Sequence, residues 1–221
     1  MERRRRTLLM GLIGLVVVAA VVVGVLVQVG RTTATSFSGS LASVSVQQDG
    51  TVTMARAGVT TPVLDVYEDF QCPICKEFEH INGNLVKDYA ARGKIKVVYH
   101  PIAFVNPEGS VRAAAAAQCV PGGSWMSFHD ILFARQPDEK VALTVADLTS
   151  LAADAKITDA GVLSCMKSQR FASQAQDRTR KAFSSPDVQG TPTLLIDGRK
   201  LSDDEVLTSS GLRAALQRAT A

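Results

Sequence analysis

Hydrophobic residues fall into three kinds of pattern along this chain. From Leu8 to Val29 there is an uncharged run of 22 residues, long enough to cross ~30 Å of hydrocarbon at ~1.5 Å per helical residue. Thr51-Val52-Thr53-Met54 alternates polar and apolar positions as an edge strand does, and Val63 to Tyr67 continues the sheet after a turn near Gly58. Pro73 to Ala91 then changes to a helical period carried by Ile74, Phe78, Ile81, Leu85 and Tyr89, with a glycine stop at Gly93. Ile95 to Tyr99 reads as the next strand, which makes a βαβ unit whose crossover is expected to be right-handed. From about 108 to 185 the pattern is helical, broken at Pro121-Gly122-Gly123, at Pro137-Asp138 and near Gly161. Thr193 to Ile196 resumes as a strand, Asp197-Gly198 turns it into Arg199-Lys200-Leu201, and Ser209 to Ala219 follows as an amphipathic helix. The order βαβ, helical insertion, ββα is an α/β arrangement.

Composition adds scale and location. The 221 residues, 46% apolar, suffice for one domain of ordinary size plus an appendage. The formal charge is +3, but Arg3, Arg4, Arg5, Arg6 and Arg31 against Glu2 already give +4, so residues 32–221 sum to −1. That excludes a nucleic-acid footprint on the folded part. Four arginines before the apolar run and one after it predict a cytoplasmic N-terminus and an exported remainder. The expected plan is a cytoplasmic stub and transmembrane signal-anchor over 1–30, a flexible Thr/Ser/Gly-rich linker over 31–44 and a folded domain over 45–219. The location expected from this plan is the cell membrane, single-pass, with the N-terminus cytoplasmic and the domain outside. A cleaved signal peptide competes with that reading, but its apolar core usually spans only about 7 to 15 residues. A monomer is expected.

Four cysteines, an even number in an exported domain, make disulfides admissible. Cys72-Pro73-Ile74-Cys75 lies between the second strand and the long helix. A structural zinc site would want a second close pair, whereas Cys119 and Cys165 are 46 residues apart and His80, His100 and His129 are scattered, so no metal is expected. At a helix N-terminus, unpaired backbone N–H groups and the positive dipole end favour a thiolate, which assigns Cys72 as the attacking sulfur. Cys75, one turn inside and more shielded, closes or releases the mixed disulfide. Pro73 suits the first helical turn, where an N–H has no partner. Gly190-Thr191-Pro192-Thr193, just ahead of the late strand, is by itself an ordinary strand start. Together with the cysteine pair it predicts a cis Thr191-Pro192 peptide that turns the Thr191 backbone toward Cys72 as a docking edge for an extended substrate segment.

Asp69-Phe70-Gln71-Cys72-Pro73-Ile74-Cys75, the late Gly190-Thr191-Pro192-Thr193 and the helical insertion together resemble the DsbA-like thiol:disulfide oxidoreductases, in their anchored actinobacterial form, over about residues 45 to 219. The resemblance implies a thioredoxin fold with a helical domain inserted at about 108–185, in addition to the N-terminal transmembrane helix. It maps the nucleophilic cysteine to Cys72, the resolving cysteine to Cys75 and the cis-proline to Pro192. Trp125, Phe128, His129 and Phe133 match the family's aromatic stretch, with packing as the expected role. Cys119 and Cys165 are expected to form a structural bridge comparable to that of some actinobacterial members; two buried free thiols or a relay pair are the alternatives. No bound cofactor is implied. The implied partners are newly exported cysteine-containing proteins and a quinone-linked membrane reoxidase of the DsbB or vitamin K epoxide reductase type.

Two departures bear on the chemistry. Ile74 stands where the best-studied oxidases carry histidine, and it cannot donate to the Cys72 sulfur. The family's buried acid six residues before the first cysteine falls on Val66; Asp65, Glu68 and Asp69 flank it as proton-relay candidates or as solvated strand-end charges. The expected function is to introduce disulfides into translocated proteins. A reductase or isomerase, and a non-catalytic peptide-binding module, are the alternatives.

Overall fold

The computed structural model describes residues 37–221, so the apolar run Leu8–Val29 and the start of the linker lie outside the described residues. Six strands form one sheet: β1 (Ser43–Val46), β2 (Val52–Ala55), β3 (Val63–Glu68), β4 (Lys96–Pro101), β5 (Thr193–Ile196) and β6 (Arg199–Lys200), in the order β1-β2-β4-β3-β5-β6. Only β3 and β4 run parallel, joined by the crossover helix α1 (Pro73–Ala91); the other pairs are antiparallel. Period two along β3 buries Leu64, Val66 and Glu68 on one face and leaves Val63, Asp65 and Tyr67 half-buried on the other.

The strand expected at Thr51–Met54 is present but is not the edge. β1, whose Ser-Val-Ser-Val pattern half-buries only its valines, pairs outside it and is in turn covered by the helix α3 (Gly122–Ala134). Gly122 is required at that crossing, because a Cβ there would strike the carbonyl oxygen of Val44. α1 spans the residues its pattern predicts, and Gly93 at φ +69° donates its N–H to the Ala90 carbonyl in the left-handed stop that glycine adopts most readily.

The insertion is five helices: α2 (Pro107–Gln118), α3, α4 (Val145–Asp154), α5 (Ala160–Lys167) and α6 (Ala172–Phe183). The alanines 113–117 of α2 are all buried and let α3 and α6 approach closely. A disulfide joins Cys119, at the C-terminal end of α2, to Cys165 in α5, with Cα atoms 5.9 Å apart. α7 (Asp203–Leu207) and α8 (Ser209–Ala219) return against α1, where Asn82 Nδ2 donates to the Val206 carbonyl at 2.8 Å. Among the described residues no helix is long and apolar enough to cross a membrane.

Candidate active site

β3 ends at Glu68, and the next four residues turn sharply into α1. The Cys72 N–H donates to the Asp69 carbonyl at 2.9 Å, which closes the turn. Asp69 is wholly buried and its carboxylate accepts from the N–H groups of Gln71, Phe104 and Val105 at 2.6–2.8 Å, fastening the turn to the segment that follows β4. Burial nevertheless pushes its pKa above the ordinary carboxylate value, the three amides pulling the other way.

Cys72 is the N-cap of α1, with extended φ −84° and ψ 117°. Its Sγ accepts from the Cys75 backbone N–H at 3.3 Å, the place a capping oxygen usually takes. Both cysteines are free; Cys72 is 3% exposed and Cys75 fully buried. The Cys72 thiol is lowered to about 6, first by the hydrogen bond with the Cys75 side chain, with burial opposing and the Thr191 side chain and the amides of Cys75 and Ile74 adding to the fall. Cys75 is pushed well above an ordinary thiol by burial, then by the Cys72 sulfur and, further down, by Glu68. The two sulfurs are therefore separated into a thiolate at the helix end and a thiol behind it. Ile74, between them, is 52% exposed and carries no polar atom with which to donate to the sulfur, as a histidine there would.

Thr191-Pro192 is cis, and the Thr191 carbonyl lies 3.3 Å from Cys72 Sγ across 119 residues of sequence. That oxygen can only accept from the protonated thiol, whereas the Thr191 hydroxyl, which has no hydrogen-bond partner, is free to serve the thiolate. The four residues expected at the site are thus brought together. Cys119 and Cys165 are elsewhere, bonded within the insertion.

The acids separate clearly. Asp65 faces the other side of the sheet and pairs with His100 at 2.8 Å, Asp69 is tied into the turn, and Glu68 is wholly buried on the face that carries Val66. The solvated strand-end reading of Glu68 and Asp69 is therefore wrong: the buried carboxylate lies one strand period beyond Val66. Glu68 Oε1 meets His129 Nε2 at 3.0 Å, His129 Nδ1 meets Asp130 at 2.9 Å, and Lys87 Nζ reaches both Asp130 oxygens at 2.7 Å. Glu68 Oε2, Glu79 Oε1 and the Tyr99 hydroxyl, also buried there, have no partner. His129 does pack among Phe70, Tyr99, Trp125 and Phe133 as expected, but it is also, with Lys87, a cationic partner in this cluster. Burial works against its charge, yet Glu68 and Glu79 outweigh it and raise the imidazole to about 10. Donor atoms of Glu68, Glu79 and His129 lie within 4.8 Å of one another. Each His129 ring nitrogen already faces a carboxylate oxygen, Glu68 at 3.0 Å and Asp130 at 2.9 Å, so the set is held together as a hydrogen-bonded cluster.

Sequence reasoning overlooked Glu79, Gln71 and Gln136. Glu79 was legible in principle as a carboxylate four residues after Cys75, on the buried stripe of α1. The glutamines carried no signal of their own.

A family model described as Thioredoxin matches residues 57–218. The chain belongs to the thioredoxin family. Within this family, its solved likenesses are of the DsbA type. The reduced disulfide bond oxidoreductase DsbG of Mycobacterium tuberculosis is 27% identical, covering 76% of this chain and 89% of that one with a TM-score of 0.57. Oxidised DsbA of M. tuberculosis is 26% identical, covering 81% and 100% with a TM-score of 0.59. BdbD of Bacillus subtilis, at 23% identity, matches in fold, covering 82% and 99% with a TM-score of 0.68. A curated relative, Na(+)/H(+) antiporter NhaA 3 of Salinispora tropica, is 31% identical over 137 residues, which is 61% of this chain. The chain spans about a fifth of the length of the curated relatives it matches.

Proposed function

We propose that this thioredoxin-family protein is a membrane-tethered thiol:disulfide oxidoreductase that introduces disulfides into newly exported proteins. The observation that carries the reading is the Cys72 sulfur, capping α1 with its pKa near 6, beside the Thr191 carbonyl and in front of a buried Cys75. In the disulfide form a substrate thiolate attacks Cys72 Sγ, breaking the Cys72–Cys75 bond and leaving Cys75 with the electron pair. A second substrate thiolate then attacks the substrate sulfur, forming the substrate disulfide and releasing Cys72 as a thiolate, the leaving group that its environment favours. The Thr191 backbone aligns the extended substrate segment. Cys75 takes up a proton in this cycle, and Glu68, buried nearby with one carboxylate oxygen free of hydrogen bonds, is the group we assign to relay it. A quinone-linked membrane partner returns the dithiol to the disulfide, and the N-terminal anchor keeps the domain within its reach.

Ile74 supports a second direction of flow. A thiolate near 6 stands closer to the ~7 of thioredoxin than to the ~3.5 of the strongest oxidase, so a milder oxidant, or a reductase, is compatible with the same geometry. The reduction potential decides between them: about −120 to −180 mV supports the oxidase and about −270 mV the reductase. Trapping with Cys75→Ala in cells should capture secreted cysteine-containing proteins; capture of apocytochromes alone would overturn the oxidase.

A further inference from the structure

The turn that carries Cys72 is stitched to the helical insertion by two glutamine side chains. Gln136 lies just past Arg135, the C-cap of α3, its N–H bonded to the Phe133 carbonyl at 3.2 Å, and Phe133 packs on Phe70 with ring centroids 5.2 Å apart. From this platform Gln136 Nε2 donates to the carbonyls of Phe70 at 2.9 Å and Cys72 at 3.0 Å. Gln71, wholly buried between those two residues, answers in the opposite direction: Nε2 donates to the Val141 carbonyl at 2.8 Å, and Oε1 accepts from the Leu143 N–H at 3.0 Å. Gly109 leaves the room for it, because a Cβ there would run into both the Gln71 amide and the Leu143 backbone.

The Cys72 carbonyl is the sensitive point. It also accepts the first intrahelical bond, from the Lys76 N–H at 3.1 Å, so two donors fix its direction. The direction of a carbonyl is the ψ of its residue, and ψ at Cys72 decides whether Sγ lies over the N–H of Cys75 or swings away. We propose that Gln136 is a positioning residue for the Cys72 thiolate: by holding the Cys72 and Phe70 carbonyls, the insertion sets the reactivity of the Cys72 sulfur through its backbone. The inference rests on the reading of Cys72 as the exchanging sulfur.

The test uses the full chain with Gln136→Met, which keeps length but removes the donor, and Gln136→Glu, which keeps shape but sets a carboxylate against two carbonyls. Iodoacetamide alkylation of the reduced protein is followed against pH, Cys75 being buried. The midpoint should rise by roughly one unit in Q136M, an approximately fivefold slower reaction at pH 6, and by more in Q136E. Melting of the two redox forms is compared in parallel. A positioning role lowers the reduced form selectively, whereas a merely structural role lowers both equally. A folded variant with the wild-type midpoint, or a loss of folding in both variants with the two redox states affected alike, overturns the proposal. Neither result touches the assignment of Cys72, which falls only if Cys72→Ser retains exchange activity.

Discussion

At the scale of single residues, the site is a contrast between two sulfurs a helical turn apart. Cys72 has donors around it and Cys75 has burial, and the pKa values move in opposite directions. A folded pKa near 6 against about 8.5 in the unfolded chain means that the Cys72 contribution to stability is fully present above the unfolded value and is lost as pH falls through 6. The reduced form should therefore gain stability relative to the disulfide form as pH is raised from 6 to 8.5, measured by paired thermal melts. Ile74→His should carry the alkylation midpoint below 6 and make the disulfide more oxidising, since an imidazolium on that exposed position adds a donor to the sulfur. Glu79 behaves in the reverse sense. Burial lifts it from 4.5 to about 7, with His129 and Lys87 pulling downward, so its contribution is present below pH 4.5 and lost as pH rises through 7. Glu79→Gln should stabilise the protein at pH 8 by on the order of 1 to 3 kcal/mol and have little effect at pH 4, checked by denaturant titration at both. None of this cluster was legible beforehand beyond Glu68 as a candidate. Its members come from β3, α1, β4 and α3, and burial of a charge at a strand end depends on neighbours that no local pattern names.

Elements with a strong period declared themselves. α1 and α8 occupy the residues that their apolar spacing and stops predict, and the Asp197-Gly198 turn does join β5 to β6. β1 did not, because Ser-Val-Ser-Val following a Thr/Ser/Gly-rich stretch has the composition of a tether; only pairing with β2 and cover from α3 make it a strand. Thr61-Pro62, a second cis peptide, was likewise missed, for Pro62 has no partner motif like the cysteine pair that marked Pro192. The β1–α3 crossing gives a test at this scale. Gly122→Ala places a methyl against the Val44 backbone, which cannot yield as a flexible side chain would, and should cost about 1 to 3 kcal/mol with redox activity retained, read by chemical unfolding and an exchange assay.

For the whole molecule, the insertion is both a lid on the core and a part of the site. The Cys119–Cys165 bridge closes a loop of 46 residues within it. The chain-entropy model assigns such a loop about 4 kcal/mol, so Cys119→Ala with Cys165→Ala should lower stability by about 2 to 5 kcal/mol, seen in the unfolding midpoint, while the Cys72 alkylation midpoint stays near 6.

The two borders of the sheet have a last consequence. β6 is only two exposed basic residues long, and β1 is four residues long and backed by a helix. Short, charged or covered borders give a foreign strand little to add to. A protein proposed to handle chains before they have folded meets loose strands continually. Its architecture lets them approach beside the reactive sulfur while offering scant template for aggregation along the rim.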